Sequence, residues 1–280
     1  MAYELILIDD PAPHIRRITL NRPEKRNAIS TPMRKELLAA LQAADVDDDV
    51  RVSIIRGAGP CFSSGYDLSD SLMEDPPHYT AGGDGQWSRH VTDSWLAIWE
   101  LAKPVIAQIH GYALAGASEL AAACDLVYVA ENADIGHPVV RVLSPPDFNY
   151  HPWLVGFRNA MEMMLTGDSY SGAEAAAMGF ANRAYPETEL EERVLEMAQR
   201  VARVPSDLQQ INKRSVHRGM EAMGTRNAIR TMSDYQALAG NVPSVQEFKQ
   251  RALDSIKSVV DRPAAAGSSS EEASSTEEEG

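Results

Sequence analysis

The sequence predicts a mixed α/β fold that continues into a helical C-terminal region, and three observations support this. Short apolar segments alternate with amphipathic segments over the first two-thirds of the chain, as in layered α/β proteins. After about Gly156 the hydrophobic periodicity is almost entirely helical. The end of the chain combines Glu with Ser, Ala and Gly and carries no basic residue, a composition typical of a solvated tail. We therefore expect an α/β core over 1–150, a helical region over 151–262 and a disordered acidic tail over 263–280.

Each element follows from local patterning. Pro11 and Pro13 separate the first two apolar segments, which predicts a hairpin-like pair of strands. Pro32 suits the first turn of a helix whose apolar side chains recur at helical spacing up to Ala44. A second helical stripe runs from Val91 to Trp99. The predicted strands are 5–9, 16–21, 50–56, 105–109 and 126–130, and the predicted C-terminal helices are 157–165, 189–204, 207–219, 228–238 and 245–259.

The charge and cysteine content exclude several classes of protein. The 280 residues include 26 basic and 40 acidic side chains, a net charge of −14, which argues against binding to nucleic acid or to anionic membranes. No apolar run approaches the ~20 residues of a membrane-spanning helix. Cys61 and Cys124 are too few for a disulfide framework, and the first residues lack the pattern of a secretory signal. We expect a protein of the reducing cytoplasm.

Motifs for nucleotide cofactors and zinc are absent from the sequence. It has no G-x-x-x-x-G-K-[ST] loop, no strand-borne G-x-G-x-x-G, no H-E-x-x-H and no Cys/His cluster with zinc spacing. We therefore expect neither a metal nor a separate cofactor.

Two glycine-centred turns, residues 61–68 and 111–119, each follow a predicted buried strand. Backbone N–H groups in such turns can approach a substrate closely, and at a helix start they carry the positive end of the dipole, so two turns can form an oxyanion hole. Glu119 falls in the first turn of an Ala-rich helix, about one turn from these donors. That is a position for acid/base catalysis, although a carboxylate there can also serve only to stabilise the helix N-terminus.

Four segments carry a resemblance to a known family. They are Asn21 to Ala28 (NRPEKRNA), Phe62 to Leu68 (FSSGYDL), Lys103 to Pro138, and Met164 to Pro186. Together they span most of the chain ahead of the tail, in the order that the family has them. On these segments the chain resembles the crotonase, or enoyl-CoA hydratase/isomerase, superfamily.

The resemblance implies a crotonase-like spiral of ββα units with a C-terminal helical region that forms trimers, often paired into hexamers. It also implies an acyl-CoA thioester as the substrate, with CoA as part of that substrate. By position, the backbone N–H groups of Tyr66 and Gly116 would polarise the thioester carbonyl and stabilise an enolate, while the Tyr66 ring would shape the acyl pocket. The positions that match CoA-binding residues of the family are Lys25, Arg26, Ala28, Ser64, Asp67, Leu68, Phe248 and Arg251.

One position departs from the hydratases of the family, which place two glutamates beside the substrate. Glu119 matches the first, whereas Val139 stands where the second is expected, directly after Pro138. Asp147 lies eight residues further on, near the position of a functional Asp in dienoyl-CoA isomerases and in 4-chlorobenzoyl-CoA dehalogenase. His137 is a further titratable group, for which a structural role with satisfied hydrogen bonds is favoured.

Two classes of function follow from the resemblance. The first is an enzyme that acts on an acyl-CoA thioester through an enolate, as a hydratase or isomerase with Glu119 and Asp147 as acid/base groups. The second is an acyl-CoA-binding relative with little or no hydratase activity. A dienoyl-CoA isomerase, dehalogenase or thioesterase reaction that uses Asp147 is a further alternative. An Asp147 that faces the pocket together with Glu119 would favour an enzyme, and an Asp147 in solvent would favour a binding protein.

Overall fold

The computed structural model describes residues 3–67 and 86–260, so the predicted acidic tail (263–280) and Leu68 of the predicted CoA set lie outside the described residues. The strands are β1 (Ile6–Ala12), β2 (Ile15–Leu20), β3 (Val52–Gly57), β4 (Val105–Ile109), β5 (Tyr112–Leu114), β6 (Leu126–Ala130), β7 (Asp134–Gly136), β8 (Tyr170–Ser171) and β9 (Arg183–Tyr185). The helices are α1 (Thr31–Val46), α2 (Gln86–Glu100), α3 (Gly116–Ala123), α4 (His151–Leu154), α5 (Gly156–Thr166), α6 (Gly172–Met178), α7 (Glu187–Ala202), α8 (Ser206–Ala222), α9 (Thr225–Ala239) and α10 (Pro243–Val260).

Six strands form the larger sheet, in the order β1-β2-β3-β4-β6-β9. Strands β1 and β2 are the antiparallel hairpin expected from the sequence, and the other neighbouring pairs are parallel. All five residues of β4 are buried, as expected for a parallel strand covered on both faces. Helix α7 packs against strands of this sheet. The predicted mixed α/β fold is thus confirmed.

Helix α1 begins where the sequence predicts a helix. The Ser30 side chain caps it by accepting a hydrogen bond from the Met33 N–H at 3.3 Å, and Pro32 lies in its first turn. Leu37 and Leu41 on its apolar face are buried in the core. The helix therefore follows from its local sequence signals.

The smaller sheet positions the candidate site. Its order is β5-β7-β8, and β5 ends at Leu114, just before α3 begins at Gly116. Ala113 of β5 also forms a parallel bridge with Ser63, which lies in the first glycine-centred turn. This bridge holds the two turns side by side.

The region after Gly156 contains two strands that the sequence does not predict. Strand β9 pairs with β6 at the edge of the larger sheet, and β8 pairs with β7 in the smaller one. Strands β5 and β7 are also unpredicted. Each of these strands has only two or three residues, too few to show an alternating pattern. Among the helices of the described ranges, none combines the length and apolar character that crossing a bilayer requires.

Candidate active site

The two glycine-centred turns meet at the start of α3. Gly65 has a φ of +103°, a left-handed conformation that favours glycine, and a Cβ there would lie 2.7 Å from the Leu114 carbonyl oxygen and 3.3 Å from the Gly116 nitrogen. The first turn therefore abuts the first residue of α3. Only a residue without a side chain allows this approach.

The two predicted oxyanion donors remain available in this arrangement. Gly116 is the first residue of α3, so its N–H has no partner within the helix. Across the described residues, neither its N–H nor that of Tyr66 donates to another backbone carbonyl. Two unused N–H groups on neighbouring turns, one at the positive end of a helix, are suited to binding a developing negative charge.

Glu119 lies one turn into α3 and is completely buried. Its Oε1 accepts a hydrogen bond from the Asp147 N–H at 3.0 Å, and its Oε2 accepts one from the Phe148 N–H at 3.2 Å. Its Oε2 also accepts a hydrogen bond from the Tyr66 hydroxyl at 2.6 Å. Three donors thus hold the carboxylate, and none of them carries a positive charge.

The Tyr66 ring covers the first turn of α3. A Cβ on Gly116 would lie 2.4 Å from the Tyr66 Cζ, so the ring rests directly on the glycine backbone. The Trp95 Nε1–H donates to the Tyr66 hydroxyl oxygen at 2.8 Å, and the Trp87 ring packs edge-on against the Tyr66 ring with centroids 5.6 Å apart. Sequence reasoning assigned Trp95 to core packing. It is fully buried as expected, but it also contacts the site through a hydrogen bond.

Asp147 is buried and only 5% exposed, so it does not point into solvent. Its Oδ1 accepts no hydrogen bond within the part of the chain that the structure describes. Burial raises the pKa of Asp147, and the nearby Ser88 hydroxyl and Arg34 charge oppose that rise. Burial, together with the charge of Asp147, raises the pKa of Glu119 to about 8. The hydrogen bonds from Tyr66, Phe148 and the Asp147 N–H act in the opposite direction and lower this pKa. Two buried carboxyl groups therefore share one site, and the charge of Asp147 disfavours ionisation of Glu119.

His137 meets the sequence expectation of a satisfied structural histidine only in part, because it has a backbone hydrogen bond at Ala115 but an unsatisfied Nδ1. It is 4% exposed, and its Nδ1 lies 3.9 Å from the Glu119 Oε1. That nitrogen has no hydrogen-bond partner among the described residues. Burial lowers the pKa of His137 to about 4, so the ring is neutral near pH 7.

The segments predicted to bind CoA lie next to one another. The Ser64 N–H donates to the Arg26 carbonyl at 3.0 Å, and a parallel bridge joins Ile29 to Tyr66. Arg22 links the segment around Ala28 to the first glycine-centred turn. Its Nη1 donates to the Ala28 carbonyl and to the Asp67 carboxylate, both at 2.9 Å.

Arg22 was missed as a site residue by sequence reasoning, although it stands in the NRP segment that carries the resemblance. Lys25 approaches the same carboxylate of Asp67, with Nζ and Oδ2 4.0 Å apart. Asp67 is itself buried. The structure therefore brings together Lys25, Arg26, Ala28, Ser64 and Asp67.

Phe248 and Arg251 lie on α10. Phe248 is half-buried. Arg251 is exposed and approaches Glu247 of its own helix, with Nη2 and Oε2 3.9 Å apart. Their role toward CoA stays a prediction. No group of three or more His, Cys, Asp or Glu side chains within the described ranges is arranged to hold a metal ion.

Comparison with known proteins points to one family. The chain matches the family model for enoyl-CoA hydratase/isomerase over residues 12–255. It is 37% identical over 242 residues to the Mycobacterium tuberculosis protein named enoyl-CoA hydratase EchA13, which covers 79% of this chain and 75% of that protein. It is 31% identical over 235 residues to the mevalonyl-coenzyme A hydratase sidH of Aspergillus fumigatus, covering 81% of this chain and 84% of that protein. The crystal structure of an enoyl-CoA hydratase/isomerase from Xanthobacter autotrophicus matches with a TM-score of 0.81 and 32% identity, over 95% of this chain and 100% of that one.

Proposed function

Because the chain belongs to the enoyl-CoA hydratase/isomerase family of the crotonase superfamily, we propose that it acts on an acyl-CoA thioester through an enolate. Glu119 is the principal acid/base group of this reaction. The observation that carries the proposal is the buried Glu119 carboxylate, one helical turn after the unused N–H of Gly116. Such an arrangement places a proton acceptor beside the atoms of a thioester whose carbonyl binds at the helix start.

The N–H groups of Tyr66 and Gly116 supply the oxyanion hole of this mechanism. A thioester carbonyl that accepts both hydrogen bonds becomes polarised, and the negative charge of the enolate then develops against two donors and the helix dipole. The donors are fixed by the backbone, so they need no reorganisation during the reaction. The two turns therefore stabilise the enolate more than the ground-state carbonyl.

Asp147 is the second acid/base group that we propose. Its buried position beside Glu119, with an unused Oδ1, supports an enzyme over a protein that only binds acyl-CoA. The raised pKa of each carboxyl group supports proton exchange near neutral pH. Because Val139 replaces the second glutamate of the hydratases, an isomerase reaction that uses Asp147 is the second candidate.

CoA binds, in this proposal, along the cluster of Lys25, Arg26, Ala28, Ser64 and Asp67. Its phosphates are anionic, and Lys25 and Arg26 supply positive charge locally in a protein whose net charge is −14. Calorimetric titration tests this: an acyl-CoA thioester should bind, and the free acid should not reproduce the binding. Equal affinity for the free acid would contradict a CoA site.

Mass spectrometry with a panel of enoyl-, dienoyl- and aryl-CoA thioesters tests the reaction class. Hydration adds the mass of one water, isomerisation changes the absorbance without a change in mass, and thioester hydrolysis releases free CoA. The buried pair predicts hydration or isomerisation with at least one of these thioesters. Binding without turnover across the whole panel would instead support the acyl-CoA-binding alternative.

Val139 makes the enzyme a poor hydratase of short straight-chain enoyl-CoA thioesters. Val139→Glu should raise the rate of crotonyl-CoA hydration, because it restores a carboxylate where hydratases have one. Val140→Glu, one residue further along the same half-buried turn, is the matched control. A wild-type protein that already hydrates crotonyl-CoA at the rate of an efficient enzyme would contradict this part of the proposal.

A trimer, or a pair of trimers, is the assembly that we propose. Several large apolar side chains on the helices after Gly156 are exposed in the single chain, more than a monomer normally leaves in water. They include Phe157, Leu165, Ile211, Val216 and Leu238, each more than 60% exposed. Light scattering of the full-length protein should report three or six copies, and a clean monomer would refute the proposal.

A further inference from the structure

The Tyr66 hydroxyl occupies a position where protons can be exchanged with Glu119. It donates to the Glu119 Oε2 at 2.6 Å and accepts from the Trp95 Nε1–H at 2.8 Å. The first distance lies at the short end of the range for hydrogen bonds between two oxygen atoms. The Trp95 hydrogen bond leaves the hydroxyl hydrogen directed at Glu119.

The chemistry of the proposed reaction requires more than one proton position. Both hydration and isomerisation move protons to or from two different atoms of the substrate, and Val139 supplies no acid/base group. Both oxygens of Glu119 already accept hydrogen bonds from neighbouring groups. Of these donors, only the Tyr66 hydroxyl is a side-chain group that can release a proton and take another.

We propose that Tyr66 is a catalytic residue whose hydroxyl passes protons between Glu119 and the α-carbon of the acyl group. The inference rests on the proposed function, because it needs an enolate in the site. It differs from the backbone role of Tyr66, since an N–H donor at this position needs no particular side chain.

The proton balance closes for hydration. Water attacks the β-carbon and gives a proton to the Glu119 carboxylate, while the electron pair of the double bond moves into the thioester as an enolate. The enolate α-carbon then takes the proton of the Tyr66 hydroxyl, and the tyrosine oxygen takes the proton of the Glu119 carboxylic acid. Both side chains return to their starting states, and the product has gained one water.

The position of the ring supports this role. The ring rests on the Gly116 backbone, whose N–H is a proposed oxyanion donor, and its hydroxyl reaches Glu119 three residues along α3. Three residues correspond to ~4.5 Å along the helix axis. The α-carbon is bonded to the thioester carbonyl carbon, so a carbonyl bound at the helix start brings it towards the Tyr66 hydroxyl in this proposal. Burial raises the pKa of the Tyr66 phenol well above its usual value, which keeps the hydroxyl protonated at any working pH.

Exchange of α-protons tests the proposal without knowledge of the natural acyl group. The wild-type protein is incubated in D₂O with butyryl-CoA, octanoyl-CoA or phenylacetyl-CoA, and deuterium incorporation is followed by mass spectrometry. In this half-reaction, the tyrosine oxygen takes the α-proton while its own proton passes to the Glu119 carboxylate. Tyr66→Phe removes only the hydroxyl and retains the ring and the backbone N–H.

Tyr66→Phe should slow the exchange by ~10²- to 10⁴-fold, as expected for loss of an acid/base group, with the acyl-CoA affinity retained. Tyr185→Phe is the matched control, because Tyr185 lies on β9 and stacks against Tyr128. Its rate should equal that of the wild type. The proposal would be overturned if Tyr66→Phe exchanged α-protons at the wild-type rate. It would also be overturned if the variant reached the wild-type maximal rate and only the pH profile of the exchange were shifted.

A second variant separates proton transfer from packing. Replacing Tyr66 with 3-fluorotyrosine preserves the ring and the hydroxyl but makes the phenol more acidic, so the exchange rate should change, whereas a purely structural hydroxyl would leave it unchanged. An unchanged rate would overturn the proposal even if Tyr66→Phe fails to fold. If the wild-type protein binds the thioesters but exchanges no α-proton, the proposed enolate function fails as well.

Discussion

A carboxylate lies at each end of α3, fully buried at Glu119 and half-buried at Asp125, and their surroundings differ. Glu119 lies in the first turn and is held by two backbone N–H groups and one hydroxyl. Asp125 lies just beyond the last turn, where Lys213 and His217 both approach it at 2.9 Å. The Val105 N–H donates to it at 2.8 Å. One carboxylate is thus held by neutral donors and the other by a cation.

This difference separates the carboxylate that we propose as the acid/base group from one that ties two elements together. Asp125 is paired with the buried Lys213, which also donates to the carbonyls of Ile98 and Lys103, so this ion pair ties α8 to the core. A buried carboxylate without a cation is costly to ionise, so it can take up a proton near neutral pH. The comparison teaches that the partner of a buried carboxylate, rather than its burial alone, determines its role.

The largest expected effect comes from replacing the Glu119 carboxylate with an amide. Glu119→Gln should lower turnover of the best substrate by ~10²- to 10⁴-fold, because it removes proton transfer, and should leave the acyl-CoA affinity nearly intact. Steady-state kinetics and calorimetry measure both quantities. Glu192→Gln on the exposed face of α7 is the control. Unchanged turnover in Glu119→Gln would show that Glu119 is not the acid/base group.

The converse experiment removes the Lys213 cation beside Asp125, at the C-terminal end of α3. Lys213→Met removes the buried cation beside Asp125 and leaves the Ile98 and Lys103 carbonyls without their donor, so it should cost ~3–5 kcal/mol of unfolding free energy. Urea denaturation measures this. Lys249→Met on the exposed surface of α10 should cost little. If Lys213→Met were as stable as this control, the distinction between the two ends of α3 would not hold.

The pH dependence of stability gives a third test. The folded-state pKa of Glu119 is raised to about 8 from its ordinary 4.5, so between these values the folded state binds more protons than the unfolded state. Stability from this group is therefore present at low pH and is lost as the pH rises through about 8. The unfolding free energy of the wild type should fall relative to Glu119→Gln by on the order of a few kcal/mol across this window. A difference that is constant with pH would contradict the raised pKa.

The smallest effect concerns the coupling between the two carboxyl groups of the site. The charge of Asp147 raises the pKa of Glu119, so Asp147→Asn should lower that pKa. The midpoint of the pH profile of kcat/KM should then move to lower pH. Asp48→Asn at an exposed position is the control. A midpoint that stays in place would show that Asp147 does not act on Glu119.

Much of the fold could be predicted from local patterns. Strands β4 and β6 match the predicted bounds, because a short continuous apolar run is the signature of a buried parallel strand. Helix α1 follows from its Ser30 cap and its periodicity, and helix α7 follows from its periodicity. The two glycine-centred turns and the position of Glu119 were also visible, since they depend on residues close together in the chain.

The tertiary structure alone decided how these parts meet. The hydrogen bond between Tyr66 and Glu119 joins residues 53 positions apart, and the Lys213 contact with Ile98 spans 115. Local periodicity cannot reveal such pairs, because they depend on which segments pack together. The unsatisfied Nδ1 of His137 and the burial of Asp147 also depend on which segments pack together, so local periodicity could not reveal them either. The sequence by itself determined the longer elements and the candidate acid. Burial and long-range contacts decided which carboxylate is held without a cation, and burial without a cation is what raises the pKa of a carboxyl group.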